Sequence, residues 1–187
     1  MAKQKNLFRL TLTAILSALI AVMTVVPYTG YISYGGVIEI TTLHIVVIVG
    51  SVFLGWKYGA VLGGVWGLTC LIRATTNPLW AAFLNPLVSV VPRIFVGAVA
   101  AWVYAGLCKL RCNGYIASVL AALAATLTNT ILVLSALAVF GDGINGFFDV
   151  MKNVYLTVIG VNGLIELAAA AVLTPMLTYA LSKVRHN

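Results

Sequence analysis

From Gly114 to Phe140 the chain runs without a charged residue, and comparable apolar stretches recur along its length. Such runs decide the solvent. An apolar stretch of about 18 residues or more with few charges is long enough to cross a bilayer as a helix, whereas barrel strands alternate over segments of roughly ten residues. The composition agrees: with 62% hydrophobic and 8% charged residues and a mean hydropathy of +1.08, 187 residues cannot clothe a soluble domain of this size in polar surface. The expectation is an all-α integral membrane protein, a single transmembrane domain over residues 1–187.

Six spans are expected, at Leu10 to Val26, Glu39 to Gly55, Tyr58 to Ile72, Pro86 to Cys108, Gly114 to Phe140 and Val150 to Leu181. The third is short for a full crossing. Lys3, Lys5 and Arg9 before the first span give it the look of a signal peptide, but its apolar stretch is too long and no small-x-small cleavage site follows, so it is read as a retained helix. Lys57, Lys109, Arg111, Lys183 and Arg185 fall on the same side as those three residues, which places both termini in the cytoplasm by the positive-inside rule. The net charge of +7 therefore reads as topology, and with no basic stripe it does not point to nucleic acid. Cys70, Cys108 and Cys112 do not cluster with histidine, so neither a metal site nor a disulfide is expected.

Residues 87 to 99, "LVSVVPRIFVGAV", hold one arginine, Arg93, in an otherwise apolar run. A guanidinium there is expensive without a partner or a function. Expected depths put Arg93, His44, Glu39, Arg73, Asn129, Asn162 and Glu166 in the outer half or near the middle of their spans and none in an inner half. This describes a cup open to the outside, with Asn162 and Glu166 on one face of the last helix. A self-sufficient carrier would line both halves, and inverted repeats would show as matching segments; neither is seen. Alternatives stay open for each residue. Arg93 and Glu166 also suit a structural ion pair, His44 a satisfied core histidine, Asn129 interhelical glue, Arg73 a snorkelling side chain and Trp80 an aromatic belt. In the first span Ala14, Ala18 and Ala21 make a strip of small side chains, suited to packing within the bundle or to close approach of another helix.

With "AILSA" at Ala14 to Ala18, "GGVIEITTLHIVVIVGSVFLG" leading into the second helix and "GWKYGAVLGGVWGL" into the third, nearly the whole chain resembles the substrate-binding S components of energy-coupling factor (ECF) transporters, which capture vitamins for prokaryotic cells. The resemblance implies a multi-pass plasma-membrane protein that binds its vitamin from outside under a lid formed by the first outer loop. It implies docking through Ala14, Ala18 and Ala21 on a transmembrane coupling subunit, then toppling, with ATP used by two ATPase partner subunits. No P-loop occurs here, and no cofactor is expected on this chain.

Riboflavin and folate members carry an aspartate-containing segment where this chain reads "IEITTLHIVV". By contrast "TTLH", "RATTNP" and "VPRIFVG" look like the pantothenate-type members. Pantothenate offers a carboxylate, hydroxyls, an amide and geminal methyls, for which the candidate set is Glu39, Thr42, His44, Arg73, Asn77, Asn85, Arg93, Asn129, Asn162 and Glu166. The alternatives are another small vitamin, such as riboflavin, folate or pyridoxine, and an integral membrane enzyme using Glu166 and His44. The latter lacks any HExxH, GxSxG or spaced carboxylate pair, so no catalytic residues are assigned.

Overall fold

The apolar runs become helices, and a short sheet interrupts them once. The computed structural model describes residues 2–34, 38–76, 78–140 and 147–186. Helix α1 (Ala2–Val25) leads into the strands β1 (Tyr31–Tyr34) and β2 (Ile38–Thr41). There follow α2 (Leu43–Leu54), α3 (Trp56–Ala74), a 3₁₀ segment (Pro78–Leu84), the single turn α4 (Pro86–Ser89), α5 (Val91–Lys109), α6 (Gly114–Phe140) and α7 (Phe147–His186). Among the described residues, Asn6–Val25, Pro86–Lys109, Gly114–Phe140 and Val161–Lys183 are long and apolar enough to cross a membrane. Helix α2 is apolar but has only 12 residues.

Tight turns make consecutive helices neighbours. Between α2 and α3 the chain reverses at Gly55 alone, with φ +92, and its N–H donates to the Ser51 carbonyl at 2.9 Å. After α5, Arg111 takes φ 59 and the N–H groups of Arg111 and Cys112 donate to the Cys108 and Leu107 carbonyls, both at 3.1 Å. That is the Schellman ending, which satisfies the last carbonyls of a helix.

The closest helix contact is between α3 and α5. Gly59, Gly63 and Gly67 recur every four residues on one face of α3, and this face meets the backbone of α5 and the turn before it. A Cβ at Gly67 would lie 2.6 Å from Val90 Cα, and one at Gly63 or Gly97 would collide with the carbonyl of Arg93 or of Gly59. Small residues at four-residue spacing let backbones approach in just this way. By contrast α1 buries little beyond Thr13 and Ile20, and Ala14, Ala18 and Ala21 face outward from the bundle.

Two expected helices are corrected. The second was expected from Glu39, but Ile38, Glu39, Ile40 and Thr41 form β2, paired antiparallel with β1 in the register Tyr31↔Thr41 and Ser33↔Glu39, and the helix begins only at Leu43. The strand's period of two is hidden because it runs without a break into the apolar helix. The fourth was expected to be continuous from Pro86; instead it turns at Val90 and restarts as α5, because Pro92 has no N–H to carry the ladder through. Helix α3, expected to be short, has 19 residues.

Candidate functional site

At the hairpin end of the bundle, buried polar side chains collect from five helices. Arg93 is the third residue of α5 and is buried. Its Nη1 donates to the Val88 carbonyl at 2.6 Å, while its Nε is buried without a hydrogen-bond partner among the described residues. The guanidinium lies near two aromatic rings, 5.3 Å from the Trp66 centroid and 5.6 Å from that of Phe83. Cation–π attraction at this range contributes most where water is excluded. A buried N–H left unpaired costs about 1–3 kcal/mol, so the site holds a donor that a ligand can satisfy.

Trp66 extends this row to α2. Its ring centroid is 6.5 Å from that of His44, and both residues are almost wholly enclosed. The indole Nε1 and both imidazole nitrogens have no partner among the described residues, and the same holds for Asn129 Oδ1, Asn162 Oδ1 and Thr126 Oγ1. Gly163 of α7 packs against Thr130 of α6, which brings the turn carrying Asn162 beside the turn carrying Asn129. Buried polar atoms in folded proteins are nearly always paired, so several unpaired donors and acceptors toward one end of a bundle make it the candidate place for a polar ligand. Toward the opposite end the buried hydroxyls of Ser51, Ser118 and Thr178 each donate to the carbonyl four residues earlier in their own helix, while Thr174 Oγ1 is buried without a partner among the described residues.

The hairpin is fastened over this row by polar bonds to two helices, α7 and α3. The Thr41 N–H donates to Glu166 Oε1 at 2.8 Å, and Asn162 Nδ2 donates to the Glu39 carbonyl at 3.1 Å, so β2 is tied to α7. Arg73 grips Glu39 with both arms, Nη1 to Oε2 at 2.6 Å and Nη2 to Oε1 at 2.7 Å, and its Cζ lies 4.0 Å from the ring centroids of both Tyr31 and Trp80. Tyr31 also bonds Cys70 of α3 through its hydroxyl, O to S 2.9 Å. Burial, and then the adjacent thiol, push the Tyr31 phenol well above its ordinary pKa, so the ring stays uncharged.

The arrangement answers the questions left by the sequence. The ion pair among the described residues is Arg73 with Glu39, not Arg93 with Glu166. Thr42 is engaged at the base of the hairpin, its Oγ1 donating to the Thr29 carbonyl at 2.6 Å. Asn85 caps α4, accepting from the Leu87 N–H at 3.0 Å. Asn77 lies outside the described residues. His44, Arg93, Asn129, Asn162 and Glu166 all come to the hairpin end of the bundle, four of them with the unpaired atoms noted above, and Asn162 and Glu166 bonded to β2. Trp66 was not among the expected site residues, since a tryptophan in an apolar helix reads as packing. The available signal was the glycine repeat of Gly63 and Gly67 on either side of it. No group of His, Cys, Asp and Glu able to hold a metal ion occurs among the described residues.

Comparison with known proteins places this architecture. The family model described as "ECF transporter, substrate-specific component" matches residues 8–178. The chain is 34% identical over 194 residues to the pantothenic acid transporter PanT of Lactococcus lactis subsp. cremoris, an alignment spanning 93% of this chain and 95% of that one. It is also 34% identical over 96 residues to the pantothenate transporter PanT of Leuconostoc mesenteroides subsp. mesenteroides, covering 48% of this chain and 47% of the relative.

Proposed function

We infer the function from one premise: the chain belongs to the ECF transporter substrate-specific component family. It is a membrane-embedded vitamin-binding subunit of an ECF importer, not an enzyme, and its vitamin is pantothenate. In our reading the chain is one domain that crosses the membrane six times with both termini in the cytoplasm, so that the hairpin faces outward. The basic residues Lys57, Lys109, Arg111 and Lys183 on the opposite side support that orientation. Two ATPase subunits and a transmembrane coupling subunit complete the importer, and ATP is used by those partners and not by this chain. The outward-facing strip of Ala14, Ala18 and Ala21 supports docking through α1, since close approach of a partner helix needs small exposed side chains.

The observation that carries the ligand reading is the unpaired Arg93 Nε beside Trp66. A carboxylate fits an arginine edge better than any neutral group, and the unpaired His44, Asn129 and Asn162 atoms suit hydroxyls and an amide. Direct binding to the purified chain tests this. Pantothenate should bind, riboflavin should not compete, and pantothenol, with a hydroxymethyl replacing the carboxylate, should bind at least about tenfold more weakly, because a charge-assisted hydrogen bond is worth about 1.5 kcal/mol or more. Equal affinity for pantothenol shows that no arginine reads the carboxylate, and tight riboflavin binding overturns the choice of vitamin.

A further inference from the structure

Pro92 and the Val88 carbonyl together fix which edge of Arg93 faces the ligand. In a regular helix the N–H of residue 92 would donate to the carbonyl of residue 88. Pro92 has no N–H, so the Val88 carbonyl is released from the ladder. The carbonyl instead accepts Nη1 of Arg93, one residue further on, at 2.6 Å. The side chain thereby folds back toward the preceding turn, the direction that helical side chains favour. Gly63 lets the Arg93 backbone lie directly against α3, which brings the guanidinium to within 5.3 Å of the Trp66 ring. With Nη1 committed and the plane bounded by Trp66 and Phe83, the Nε side is what remains for an incoming carboxylate, and Nε is the atom left buried and unpaired.

We propose that Pro92 is a positioning residue for ligand recognition: by withholding one backbone N–H, it supplies a carbonyl that orients the Arg93 guanidinium with its Nε edge toward the ligand's carboxylate. This inference rests on the reading of Arg93 as the carboxylate's partner. Preorientation raises affinity by sparing the ligand the cost of ordering a long side chain, and only for ligands that use that side chain.

The experiment is a titration of the full chain with pantothenate and pantothenol, reading the Kd of pantothenol divided by that of pantothenate. In Pro92→Ala the restored N–H competes for the Val88 carbonyl. Because a carbonyl has two lone pairs the competition is partial, and the ratio should fall about three- to tenfold through weaker pantothenate binding, with pantothenol unchanged. Pro86→Ala, which alters the start of α4 and frees no carbonyl used by Arg93, should keep the wild-type ratio. Installing the α-hydroxy analogue of alanine at position 92, an ester that lacks both ring and N–H, should restore it. Equal weakening of both ligands in Pro92→Ala assigns the proline to fold alone and overturns the inference. So does a wild-type ratio in Pro92→Ala when Arg93→Lys has lost its discrimination. Should Pro92→Ala not fold, the ester variant decides, since a lost ratio there ties the effect to the ring and overturns the proposal. A wild-type ratio in Arg93→Lys would instead remove the reading of Arg93 itself.

Discussion

Arg73 and Arg93 sit near the same end of the bundle and are treated in opposite ways. Arg73 spends both arms on Glu39 and stacks near Tyr31 and Trp80, so its charge is answered within the chain. Arg93 is answered by one carbonyl and two ring faces, and its Nε is left without a partner. A guanidinium gripped by a carboxylate of its own chain is a fastener; one with no carboxylate in direct contact among the described residues is, in our proposal, the one that takes a carboxylate from a ligand. The Arg73–Glu39 pair secures the hairpin, with side chains only 23% and 17% exposed, and Arg93 lies in the row of polar groups that hairpin helps to enclose.

Four measurements break or sharpen this contrast. Arg93→Ala should weaken pantothenate about 10- to 150-fold, the equivalent of about 1.5–3 kcal/mol for a charge-assisted bond, while pantothenol changes little. If both ligands weaken alike, Arg93 holds the site together rather than reading the carboxylate. Arg73→Ala should weaken pantothenate and pantothenol equally, by about tenfold, because it leaves Glu39 unpaired and loosens the hairpin without touching the carboxylate's partner. A selective loss of pantothenate in this variant would make Arg73 the reader and dissolve the contrast.

A smaller effect is expected from Glu39→Gln, which keeps the shape and one hydrogen bond but removes the charge. Exchange of the β2 amides, measured by mass spectrometry, should quicken by about fivefold, in keeping with roughly 1 kcal/mol for a partly screened pair. Unchanged exchange would mean that the Thr41–Glu166 and Asn162–Glu39 bonds hold the strand by themselves. The smallest effect on affinity belongs to Ala18→Trp on the outward face of α1. Binding by the isolated chain should stay within about twofold of wild type, as is usual for surface changes, while cellular uptake and co-purification of the coupling subunit are lost. Lost binding in detergent would place Ala18 inside the bundle's own packing.

The sequence made Arg93, His44, Asn129, Asn162 and Glu166 legible because an ionisable or amide side chain is exceptional in an apolar run and demands a reason. It could not say who partners whom. Glu39 and Arg73 are 34 positions apart, and their pairing is decided by how the hairpin folds onto α3. Nor did it reveal the hairpin, since β2 merges into the apolar run of α2 and a strand of four residues is too short to declare its period. Trp66 was hidden for a chemical reason: its large apolar ring masks a single N–H that needs an acceptor. Pro92 was visible as a residue but not as a device, because prolines are common in membrane helices and what the freed carbonyl does depends on which donor reaches it.

The glycine contact between α3 and α5 bears on how such a protein can change its cargo. Trp66 and Arg93 ride on two backbones that touch, with Gly59, Gly63, Gly67 and Gly97 leaving no slack between them. The spacing of indole and guanidinium is therefore inherited from the main chain, and drift at neighbouring side chains cannot retune it without parting the helices. Across the bundle the corresponding contact is looser, for a Cβ at Gly163 would meet Thr130 at 3.4 Å, an ordinary van der Waals separation. Adaptation to a different vitamin has room on the α6–α7 wall, whereas the α3–α5 wall acts as a fixed jig against which every new cargo must fit.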